Sequence, residues 1–91
     1  MTATLKIIPS LRKFVGGQAT VQVEGNTVAE CIEDLERQFP GIKNQIFDED
    51  GKLRSCFDVY VNSPDSYNFK RMEMPVKEGG ELAIIPVFGG G

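Results

Sequence analysis

Residues 25–41 read GNTVAECIEDLERQFPG, and the rest of the chain is best read outward from them. Gly25 and Asn26 break the preceding segment. Thr27, followed three positions later by Glu30, is a capping box, in which each side chain satisfies the other's free backbone N–H. Val28, Cys31, Ile32, Leu35 and Phe39 then recur at the spacing of one helical face. Glu30, Glu33, Asp34, Glu36, Arg37 and Gln38 occupy the other faces, and Pro40-Gly41 ends the helix. The apolar stripe is a core-facing surface and needs a second layer to cover it.

That layer is legible on both sides of the helix. On the N-terminal side, residues 5–8 (LKII) are a short branched run ending at Pro9, which reads as a strand. Gly16-Gly17 mark a turn, and residues 19–24 (ATVQVE) alternate, with Ala19, Val21 and Val23 facing one side. The two runs form an antiparallel hairpin. On the C-terminal side, residues 42–47 form a short helical turn and 48–52 (DEDGK) a solvated turn. The acidic run lacks the alternation and the twelfth-position Glu of a calcium loop. Residues 57–62 (FDVYVN) are a strand, 63–66 (SPDS) a turn, 67–72 a short edge strand and 77–80 (KEGG) a turn. Residues 81–86 (ELAIIP) are a nearly unbroken apolar run, so the last strand is central and buried. The order predicts an α+β fold: a mixed sheet of four to five strands packed on one main helix. With the first and last strands parallel at the centre, this is the β-grasp, or ubiquitin-like, arrangement.

Composition bounds the chemistry. The 91 residues, 41 % hydrophobic and 25 % charged, make one globular domain spanning 1–91. A chain of this size buries roughly 60–65 % of its unfolded surface, enough for one core but not for a deep internal active site. The absence of histidine excludes His-based triads, His metal sites and His proton shuttles. Two cysteines leave too few ligands for a closed zinc site in one chain. Cys31 falls on the apolar helix face and reads as a buried free thiol, and Cys56 as unpaired. The net charge of −3 argues against nucleic acid as a partner. No run approaches the ~20 apolar residues that span a bilayer, so no membrane association is expected. The N-terminus MTATLKIIPS lacks the features of a secretory signal, and the chain reads as cytoplasmic.

The last residues carry the candidate chemistry. Strand 81–86 runs through Val87 and Phe88 into Gly89, Gly90 and Gly91. Glycine lacks a Cβ, so a tail over about 87–91 can extend and enter a narrow cleft in another protein. The terminal carboxylate on that slim stalk is then accessible to an enzyme that activates it with ATP, and an acyl adenylate formed there is open to attack by sulfide, a persulfide or a thiol. Along the last strand Leu82 and Ile84 face the helix, whereas Ala83 and Ile85 face away. Ile85, Val87 and Phe88 therefore form an apolar surface beside the tail that suits a partner. The strand pattern exposes Asp58, which reads as a surface residue rather than an acid or base.

The chain resembles the ubiquitin-like sulfur carriers, MoaD and ThiS and their relatives, over nearly its full length. The likeness rests on residues 25–30 (GNTVAE), 59–62 (VYVN) and, most specifically, 74–86 (MPVKEGGELAIIP) followed by Gly90-Gly91. It implies that an E1-like enzyme uses ATP to adenylate the terminal glycine, which is then converted to a thiocarboxylate that donates sulfur to a biosynthetic enzyme. Gly91 would carry the sulfur, and Gly90 and Gly89 would give it access. No cofactor would be bound by the carrier itself, which would be a co-substrate rather than an enzyme and a monomer when free. Gly89 stands where the family often has Ala or Ser, and Phe88 where a smaller aliphatic residue is common. If Gly89-Gly90 were the active pair, one residue would have to be trimmed. The insert at 48–55 fits the longer carriers of amino-acid sulfur assimilation better than the shortest molybdopterin-type ones; thiamine synthesis is a further possible destination. Two other readings share the same ending: a ubiquitin-like modifier joined to target lysines, and a passive binding module.

Overall fold

The computed structural model describes residues 2–61 and 71–86. Strand β1, Thr2–Lys6, pairs antiparallel with β2, Thr20–Glu24, with Ala3 opposite Val23 and Leu5 opposite Val21. All four of these side chains are buried. The ladder thus lies several residues before the expected run at 5–8. Ile7 is buried beyond the sheet, and Pro9 opens a 3-10 helix, Pro9–Val15, which the sequence reading missed. Proline suits a first helical position because its missing N–H would have no partner there. Leu11 and Val15 turn inward from this helix. Ala19 precedes β2 and is exposed, not part of the buried row.

Helix α1, Val28–Gln38, buries Val28, Cys31, Ile32 and Leu35, while Phe39 sits half-buried at its C-cap. Its start differs in one detail from the expected capping box. Glu30 N–H donates to Thr27 Oγ1 at 3.2 Å, but Glu30 Oε1 accepts from Asn26 N–H at 2.8 Å, one residue further out. Residues 26–28 lie beside 74–76: Val28 N–H donates to Met74 O and Val76 N–H to Asn26 O. Asp34, placed by sequence on a solvent face, is buried. Its Oδ2 accepts from Glu24 N–H at 3.1 Å and Gln38 Nε2 at 2.9 Å, and Oδ1 is paired with the Arg37 guanidinium. Gln38 Nε2 also donates to Gln22 O at 2.8 Å. Two helix side chains thereby close part of the outer backbone edge of β2.

Helix α2, Ile42–Ile46, follows Gly41, whose φ of 104° is open to glycine and strained for other residues. The Glu36 carboxylate accepts from Gly41 N–H and Lys43 N–H, serving as the cap that Gly41 cannot supply. The turn at 48–52 is built on Asp48, whose Oδ1 accepts from Asp50 N–H and Lys52 N–H.

Strand β3, Phe57–Val61, pairs antiparallel with β4, Glu81–Pro86, and β4 pairs parallel with β1. Among the described residues the sheet has four strands in the order β2-β1-β4-β3, the β-grasp order. The expected edge strand at 67–72 is corrected where it can be seen: Arg71–Glu73 form a 3-10 turn. Asn62, the 63–66 turn and the remainder of that edge strand lie outside the described residues. Leu82 and Ile84 of the central strand join α1's stripe in one core with Leu5, Val59, Ile42 and Ile46. Each such side chain contributes about 1.5–3 kcal/mol by leaving water.

Candidate functional site

Alternation along β4 decides what lies on the open face of the sheet near Pro86. Leu82 and Ile84 are 1 % and 0 % exposed, whereas Ile85 is 37 % exposed on the opposite face. On β3, Tyr60 lies directly across from Ala83 and Asp58 across from Ile85. Tyr60 is 57 % exposed, and it and Ile85 are the exposed large hydrophobic side chains among the described residues. A residue and its diagonal cross-strand neighbour are close enough for an aromatic ring to span. Tyr60, Ala83 and Ile85 therefore form one apolar patch on the open face of the sheet, next to the strand end from which the tail departs. The sequence reading singled out Ile85 and overlooked Tyr60, although the alternation of 57–61 already placed it outward. Lys6, across from Ala83 on the other side, pairs with Glu81 at 3.6 Å. Both side chains are half exposed, so the pair frames the patch and adds little stability.

The remaining candidates fall as follows. Val87, Phe88, Gly89, Gly90 and Gly91 lie outside the described residues. Asp58 is half-buried rather than exposed, and its Oδ1 accepts from Val59 N–H at 2.8 Å. Cys31 and Cys56 are free thiols, one buried and one exposed. Burial pushes the Cys31 thiol up from its ordinary value, which keeps it protonated and a poor nucleophile. Among the described residues no cluster of three or more His, Cys, Asp or Glu could hold a metal ion, and no helix is long and apolar enough to cross a membrane. The arrangement presents an exposed apolar patch near the end of β4.

The model of the ThiS family matches residues 5–91. This chain belongs to the ThiS family. It is 32 % identical, over 93 aligned positions covering 100 % of both chains, to the sulfur carrier protein CysO of Mycobacterium tuberculosis. The crystal structure of that organism's CysO superposes with a TM-score of 0.83 at 31 % identity, covering 93 % of this chain and 98 % of the other. A chain in the crystal structure of the Amycolatopsis orientalis BexX/CysO complex is 38 % identical with a TM-score of 0.82, covering 98 % of this chain and 99 % of its own. The ThiS-family match extends to residue 91.

Proposed function

We propose that this chain is a sulfur carrier whose terminal Gly91 is the working group. Its carboxylate attacks the α-phosphate of ATP within an E1-like enzyme, giving an acyl adenylate and pyrophosphate. Hydrosulfide then attacks the acyl carbon, expels AMP and leaves a thiocarboxylate, which a biosynthetic enzyme consumes as its sulfur source. The nucleotide is handled by the partner, so the chain is a co-substrate and contributes a reacting terminus and a docking surface. Full-length similarity to the sulfur carrier CysO carries this reading. The Tyr60–Ala83–Ile85 patch supports it, because a tail that enters another protein's active site needs an apolar surface beside it to hold the complex. The longer turn region at 48–55 favours an acceptor in cysteine or homocysteine synthesis.

Carrier-dependent release of pyrophosphate by the activating enzyme tests the proposal. Deleting Gly90-Gly91 abolishes release. Tyr60→Glu and Ile85→Glu each raise the KM for carrier about tenfold, as loss of a central apolar contact does, while melting stays at the parent temperature. Undiminished release from the truncated chain contradicts the role of Gly91, and unchanged KM in both Glu variants removes the patch from docking.

A further inference from the structure

A concave surface lies on the helix side of the molecule, away from the open sheet face. It is a groove of about 320 Å³. Ala29 and Ile32 of α1 contribute to its apolar floor, with Phe47 after α2 and Met72 of the 3-10 turn. Among the described residues its rim carries Glu33, Asp48 and Glu49 against one cation, Lys43, which is already paired with Glu33. The volume accommodates one or two bulky apolar side chains. The rim charge selects cations beside them, in a chain whose net charge is already −3.

We infer that this groove docks a protein segment carrying a bulky apolar anchor flanked by lysine or arginine. Apolar floor and acidic rim act on adjacent side chains of one short segment, which separates this occupant from an apolar small molecule or an acidic peptide. A second copy of this chain is disfavoured by like charge. Because the groove and the Tyr60–Ala83–Ile85 patch lie on opposite sides of the sheet, one protein can hold the groove while another receives the tail. The inference is independent of the chemistry at Gly91.

The test is an amide and methyl NMR titration of the full chain with the blocked peptide Gly-Lys-Lys-Leu-Phe-Lys-Lys-Gly and its counterpart bearing Glu in place of Lys. The basic peptide shifts Ala29, Ile32, Phe47 and Met72, and the acidic one does not. Glu49→Lys weakens binding about fivefold, as reversal of an exposed charge does, and added salt weakens it further. Ala29→Leu, which fills the floor from a helical position that tolerates leucine, weakens binding with the helix intact. Shifts confined to Tyr60 and Ile85, or an affinity indifferent to Glu49→Lys, overturn the inference. Groove shifts that follow protein concentration without peptide assign it to self-association and also overturn it. Binding that emerges only when 63–69 are replaced by Gly and Ser assigns the groove to the chain's own sequence, with the same consequence.

Discussion

A Cβ added at Gly25 would lie 2.7 Å from the Cys31 backbone nitrogen and 2.7 Å from Glu30 Cβ. These are first-turn atoms of α1 and cannot retreat without disturbing the cap. Gly25→Ala is therefore expected to destabilise the fold by about 1–3 kcal/mol, the usual range for overpacking, read as a lower urea midpoint at unchanged slope. Glu36 illustrates charge at the same scale. The backbone N–H of Lys43, then that of Gly41, donates to its carboxylate and holds its pKa below the ordinary 4.5. A lowered carboxylate pKa means that the unfolded chain binds the proton first. The stabilisation is complete above 4.5 and is lost as pH falls through the lowered value. Glu36→Gln should flatten that part of the urea-midpoint profile; an identical acid slope in the variant would place the dependence elsewhere. The Glu36 contact was not legible in sequence, because it depends on how Pro40-Gly41 folds the chain back.

At the scale of elements, α1 holds the β2 edge through Asp34 and Gln38. Asp34→Ala leaves Glu24 N–H without its acceptor and Arg37 without its partner, an expected loss of about 1–3 kcal/mol. Hydrogen exchange at the Glu24 amide should accelerate well beyond that of the β4 amides; equal acceleration throughout would mean global loosening instead of an opened edge. Thr27→Ala removes the oxygen that accepts Glu30 N–H and is expected to cost about 1 kcal/mol, measured by thermal melting. The helix was legible because a stripe such as Val28, Cys31, Ile32 and Leu35 has a single economical reading. Asp34 escaped because periodicity classifies an acidic residue as outward, whereas here backbone and side-chain donors satisfy it inside. The 3-10 helix at Pro9–Val15 escaped because its few turns leave too short a pattern, and the strand at 5–8 was misplaced because Ile7 is buried without being in the sheet.

For the whole molecule, the expected central strand parallel to β1 is found, but the apolar run at 81–86 is buried on one face only: Leu82 and Ile84 lie inside and Ile85 is exposed. The same alternation that buries Leu82 and Ile84 exposes Ile85, so the core and the apolar patch come from one periodicity. Tyr60 joins the patch only through the β3–β4 register, which local pattern does not supply. The described core includes β4 up to Ile84, so removing Gly90-Gly91 should leave the melting temperature unchanged while abolishing carrier function. The most direct measurement is the intact mass of the chain after incubation with ATP, a sulfur source and its E1-like partner. The account predicts a gain equal to the exchange of one carboxylate oxygen for sulfur, mapped to Gly91 and absent when Gly91 is deleted. An unchanged mass with a partner shown to be active, or conjugation of Gly91 to protein lysines in its place, would contradict it.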